Sequence, residues 1–193
     1  MFDAEARSRR VSFFCVDRDT IHAVSQEDPM FMPSAPRIVL VAMLACSAAV
    51  VSAQQMPNPY GPPVTLEAAK KIAAPALAEA RKNGWTMAVA IVDPAGDLVY
   101  FERMDNTQLG SINTAINKAR SAARFKRPTK VFQDMVASGG EGLRALGLEG
   151  AFVVEGGIPL VVDGKIVGAI GASGGNSSQD GQTAKAGADS LGR

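Results

Sequence analysis

The sequence predicts an α+β domain in which an antiparallel sheet of about five strands is flanked by helices. Three observations carry this reading. Short β-rich runs are joined by tight turns rather than by long helical crossovers. Asp163-Gly164 lies between two apolar runs as a strong two-residue hairpin signal. Four other segments repeat small or apolar residues at helical spacing.

Taken in order, Thr65 reads as the N-cap of a helix running to about Lys82, with Asn83-Gly84 as its stop. Leu66, Ala69, Ile72, Ala73, Ala76, Leu77 and Ala80 form its apolar stripe, and Pro75 is expected to kink or break it. Trp85 to Val92 is the first strand. The turn Asp93-Pro94-Ala95-Gly96-Asp97 returns the chain as a second strand, Leu98 to Arg103. Residues 111–125 form an Ala-rich helix whose small side implies close packing. Pro128-Thr129 opens a short third helix to about Ala137, ended by Ser138-Gly139-Gly140. Ala151 to Val154, Ile158 to Val162 and Lys165 to Ile170 read as three further strands. A last helix spans about Ser178 to Leu191, with Ser178 or Asp180 near its cap.

The chain has 193 residues, 47% of them hydrophobic and 20% charged, which suits one domain plus a processed segment. Its formal net charge of +1 argues against nucleic acid as a partner and against an acidic solvating tail. Division at residue 53 is informative. The first 53 residues hold Cys15, Cys46, the lone His22 and five arginines, and no lysine. The remaining 140 hold all eight lysines, no cysteine and no histidine. A mature chain starting near residue 54 therefore has no disulfide, no Cys/His zinc site, no thiolate nucleophile and no histidine base.

Residues 1–53 read as an export region. Arg37 precedes the apolar run Ile38 to Ala45, and Val51-Ser52-Ala53 offers small residues for cleavage after Ala53. The run is short for a membrane span, so the expected mature protein is periplasmic or secreted, with no stable span after processing. Met43-Leu44-Ala45-Cys46 is a looser alternative, a lipobox. Met30 or Met32 makes a more natural start, which leaves residues 1–29 untranslated on this reading. Residues 54–63, with four prolines in ten, read as an extended linker before a domain over 64–193.

Three features carry chemistry. Residues 117–130 contain six basic side chains and no acid. Lys118, Ser121 and Phe125 share a helix face, and Arg120, Arg124 and Arg127 line its neighbour. Such a surface suits a planar anionic ligand, although basic residues near a helix C-terminus are also what the helix dipole favours. The glycine-rich stretch 168–180 runs from a strand through a turn into a helix N-terminus, where free N–H groups hold anions. It is neither a P-loop nor a dinucleotide fingerprint. Arg103-Met104-Asp105 follows the second strand as a pocket wall or a surface ion pair. Glu141, Glu149 and Glu155 are spaced uninformatively.

These blocks, together with Val92 to Asp97, Lys118-Ala119-Arg120-Ser121-Ala122, Gly156-Gly157-Ile158-Pro159 and Val167 to Gly175, resemble the GlcG/HbpS family in order and spacing over about residues 64–191. These are small haem-binding or haem-degrading domains, also found as the C-terminal part of PduO-type proteins. The resemblance implies a profilin-like three-layer arrangement, dimers or higher oligomers, and haem held between subunits of exported members. It places the ligand region at Lys118, Arg120, Ser121, Phe125 and Thr129, with Arg103, Asp105, Gly156 and Gly157 on adjoining loops. Three positions depart from the family pattern. Asn106 stands where glycine is common, Ser121 replaces threonine, and Gly181-Gln182 follows Asp180 where another acid is expected. Haem in a domain without His or Cys needs a weak iron donor, for which Thr129, Ser121 and Lys118 are candidates. The expected function is haem or tetrapyrrole binding that assists sensing, scavenging or degradation. The alternatives are an enzyme or binding protein for a small carboxylate, and a non-catalytic oligomeric accessory module.

Overall fold

Ala88–Val92 form β1, and all five residues are buried. A strand buried on both faces needs helices above and below and a ladder on each edge. The computed structural model, which describes residues 57–191, provides both. β2 (Leu98–Arg103), β3 (Gly157–Val162) and β4 (Lys165–Ser173) complete a four-stranded antiparallel sheet in the order β2-β1-β4-β3.

The alternation of β1 sorts two cores. Val89 and Ile91 face α1 (Leu66–Lys82) and α4 (Ser177–Ala188), where Ile72, Ala76, Leu77, Ile170 and Ala184 are buried with them. Full burial of each large aliphatic chain contributes about 1.5–3 kcal/mol. Ala88, Ala90 and Val92 face the other way, onto Ala115, Ala119, Ala122 and Ala123 of α2 (Gly110–Phe125). Small residues on both sides let this helix lie unusually close to the sheet. A Cβ at Gly171 would collide with the Ala115 carbonyl, so glycine is required there. The molecule is thus three layers, as the resemblance implied.

The local signals explain the boundaries. Thr65 Oγ1 accepts from the Ala68 N–H at the start of α1, and Gly84 takes a φ of +70° just past its end. The helix runs continuously through Pro75. Asp163 and Gly164 adopt φ of +48° and +71°, as the hairpin signal requires. Asn106, where the resemblance leads one to expect glycine, has φ +63°, a conformation that asparagine tolerates better than most residues.

Three expectations are corrected. Ala151 to Val154 is no strand, so the sheet has four strands and not five. Ala151 N–H donates instead to the Leu148 carbonyl. Phe152 N–H donates to Ser121 Oγ, and the nearby Glu155 N–H donates to Gln133 Oε1. The last helix is capped by Asn176, which forms a capping box with Gln179, rather than by Ser178 or Asp180. Between α3 (Thr129–Ala137) and β3 the chain makes a 3₁₀ helix, Gly140–Gly147, where the glycines had read only as a stop.

The described part of the Pro-rich stretch pairs with β4 beyond the point where β1 ends. Ile166 N–H donates to the Pro59 carbonyl, Gly61 N–H to that of Ile166, and Val64 N–H to that of Val167. The export region and residues 54–56 lie outside the described residues.

Candidate functional site

The Lys118 ammonium is fully inside the fold, at 1% exposure. It lies on the Ala-rich face of α2, which the sheet covers, and it donates to Asp180 Oδ2 at 2.6 Å and to the Ala172 carbonyl at 3.3 Å. Asp180, from the first turn of α4, also accepts from the Gly175 N–H at 3.0 Å. Burial pushes the Asp180 carboxyl above the ordinary carboxylate range and the Lys118 ammonium below that of lysine. The mutual ion pair offsets each shift only in part.

The other inward polar groups of this helix pair act on one stretch of backbone. Ser121 Oγ holds the Phe152 N–H at 2.9 Å, and Thr129 Oγ1 holds the Gly157 N–H at 2.9 Å. Gly156 passes over Lys118, leaving only 2.9 Å between the ammonium and the place a Cβ would occupy. Gly157 lies so close to α2 that its Cβ would collide with the Lys118 carbonyl. Lys118, Ser121 and Thr129 therefore position residues 152–157 from below.

Gly156 and Gly157 form the floor of a pocket of about 410 Å³, at the lower end of the usual range for small-molecule sites. Pro128 and Ile158 give it apolar walls, and Ser178, Gly181 and Gln182 line it from one face of α4. Its charged groups are Lys130, Lys185 and Glu155. Both lysines are exposed and bound to a carboxylate one helical turn on, Lys130 to Asp134 and Lys185 to Asp189, each at 2.7 Å. Such surface pairs exchange partners at little cost.

The nine residues expected at the ligand site do not converge in one protomer. Lys118, Ser121, Thr129, Gly156 and Gly157 gather at this pocket's floor or beneath it. Arg103 and Asp105 line a separate polar cleft of about 330 Å³ with Arg81 and Glu102. Arg120 lines a third, of about 280 Å³. Phe125 packs edge-on against Phe132, with ring centres 5.2 Å apart.

Sequence reasoning missed Lys185 and Gln182, read Asp180 only as a cap and Lys130 only as part of the basic run, and set Glu155 aside. One signal did point to Asp180: a lysine in the middle of an alanine stripe needs an inward counter-ion. The partner lies 62 residues downstream, where spacing carries no information.

The donor set defines which cofactor fits. Among the described residues, no three His, Cys, Asp or Glu side chains cluster to hold a metal ion. The hydroxyls of Ser121 and Thr129 each accept a backbone N–H, Lys118 is paired with Asp180, and all three are buried beneath the pocket rather than lining it. What remains suits a flat ligand with peripheral carboxylates: a bare backbone floor, apolar walls, two exposed ammonium groups and one carboxylate.

The family model described as haem degrading protein HbpS-like matches residues 64–189. The chain belongs to the HbpS-like family. Protein GlcG of Escherichia coli K12 is 39% identical over 105 residues, covering 54% of this chain and 77% of GlcG. A crystal structure of a double mutant of HbpS from Streptomyces reticuli superposes with a TM-score of 0.63 at 32% identity, covering 76% of this chain and 99% of HbpS. A PduOC:haem complex superposes at 0.61 with 26% identity, covering 67% and 96% of the two chains. Among the described residues of this HbpS-like protein, no helix is long and apolar enough to cross a membrane.

Proposed function

We propose that this HbpS-like protein binds haem or a related carboxylate-bearing tetrapyrrole at the pocket floored by Gly156 and Gly157. The observation that carries the reading is the pairing of a side-chain-free floor with Lys130 and Lys185 at the rim. Lys130 and Lys185 exchange Asp134 and Asp189 for the ligand's propionates. Pro128, Ile158 and the glycine backbone would receive the ring, and Glu155, the carboxylate in the lining, would offer iron an oxygen donor. Haem, when bound, supplies its own redox reactivity; the protein orients it and shields one face. Weak ligation of this kind suits a reversible carrier, sensor or scavenger. The family's haem-degrading description and the haem-bound PduOC relative support the reading.

A pocket of about 410 Å³ covers a tetrapyrrole only in part. The second face is left for another copy of the chain, so the working form is a dimer or higher oligomer. Export through residues 1–53 completes the proposal, and a mature N-terminus at Gln54 by mass spectrometry tests it. The binding test is a haemin titration followed at the Soret band, with stoichiometry from size exclusion. A saturable shift that weakens by about tenfold or more in the Lys130→Gln/Lys185→Gln variant is expected. A non-saturating response in the unaltered protein overturns the proposal.

A further inference from the structure

Arg120 and Arg124 stand one turn apart on α2, and their Nε atoms are tied to the turn between β1 and β2. Arg120 Nε donates to the Gly96 carbonyl at 3.0 Å, and Arg124 Nε to the Ala95 carbonyl at 2.8 Å. Gly96 is at φ +90°, and a Cβ there would stand 2.8 Å from Arg124 Nε, so the turn closes tightly onto the guanidinium. With Nε fixed, each guanidinium plane is oriented and its loss of freedom on binding is already met.

Neither arginine has a carboxylate partner within ion-pair distance among the described residues, although Asp93 and Asp97 flank the same turn. Asp93 is occupied by the Asp97 N–H. Two like charges at this spacing repel each other, and no ion pair among the described residues offsets that repulsion. Both line a cavity of about 280 Å³ whose remaining walls are Asn117, Gly150, Ala151 and Phe152. It shares no residue with the glycine-floored pocket.

We propose that this cavity is a second binding site, which takes a small organic carboxylate. The terminal nitrogens of the two oriented guanidiniums offer the fork that matches a carboxylate bidentately. The Asn117 amide adds a donor or acceptor, and Phe152 and Ala151 supply an apolar wall that an inorganic oxyanion would leave unused. The site is independent of the haem reading.

The test is calorimetric titration of the full chain with malonate and, separately, with inorganic phosphate. Amide shifts are followed in parallel. Saturable malonate binding is expected, with Gly150, Ala151 and Phe152 amides moving. Arg120→Lys and Arg124→Lys, which keep the charge but lose the fork, should each weaken it by about tenfold. Lys130→Gln/Lys185→Gln should leave it unchanged, which separates this site from the tetrapyrrole pocket. No saturable malonate binding overturns the proposal. So does malonate binding that shifts only residues outside the cavity. Phosphate binding as tight as malonate's overturns the carboxylate assignment. The amide shifts are read on the unaltered protein, so they decide the matter even if a variant fails to fold.

Discussion

The Lys118 ammonium and the Asp180 carboxylate meet at 2.6 Å where neither side chain reaches solvent, joining the middle of α2 to the first turn of α4. This contact ties the two outer layers together through the sheet, directly beneath Gly156. Removing one partner leaves a buried charge, so Lys118→Met or Asp180→Leu should each cost about 3–5 kcal/mol in urea unfolding. The double variant should regain most of that loss. If each single variant loses less than about 1 kcal/mol, the pair is not the buried contact described.

The pair also fixes a pH signature. Asp180 is held above the ordinary carboxylate range by burial, so the folded chain keeps a proton that the unfolded chain releases. Its contribution to stability therefore falls as pH rises from the ordinary carboxylate value through the raised one. Lys118 is held low by burial, and its contribution rises with pH from its lowered value towards the ordinary lysine one. The pair's contribution is thus least between these windows, where both groups are charged. Stability of the parent minus that of Lys118→Met/Asp180→Leu, measured by unfolding from acid to alkaline pH, should fall above the ordinary carboxylate value and rise again on approach to the ordinary lysine value. A rise followed by a fall would reverse the assigned shifts.

Thr129 acts through its hydroxyl rather than its shape. Thr129→Val leaves the buried Gly157 N–H without an acceptor and should cost about 1–3 kcal/mol, whereas Thr129→Ser should retain most of the stability. Equal losses in the two variants, read from the urea midpoints, would place the effect in packing instead.

Two glycines of the same domain should respond oppositely to alanine. Gly157→Ala drives a methyl into the Lys118 carbonyl and should destabilise by about 1–3 kcal/mol or more. Gly110, the first residue of α2, has open space around its Cβ position and no positive φ, so Gly110→Ala should stabilise by about 0.4–1 kcal/mol. Thermal unfolding of the pair checks both signs.

Much of the fold was legible because its signals are local. The Thr65 cap, the Asp163-Gly164 turn and the alanine stripe of α2 each act within a few residues. Ala151 to Val154 misled because an apolar β-rich run does not say where its amides will find acceptors. Here the Ser121, Gln133 and Thr129 side chains, rather than a strand edge, accept the N–H groups of Phe152, Glu155 and Gly157. At the site, the basic helix was visible, but its division was not. Lys118 turns inward to Asp180, Arg120 and Arg124 turn to the β1–β2 turn, and the charges at the pocket rim come from α3 and α4. Replacing Lys118 is consequently an experiment on stability, and replacing Lys130 and Lys185 is the experiment on binding.

The central claim, that the glycine-floored pocket receives a tetrapyrrole, is tested most directly by titrating the isotopically labelled protein with zinc protoporphyrin and following its backbone amides. Gly156, Gly157 and Gly181 are expected to shift first and saturate together, with Phe152 and Gly150 unmoved. Saturation at Gly150 and Phe152 with the three glycines unchanged would contradict it.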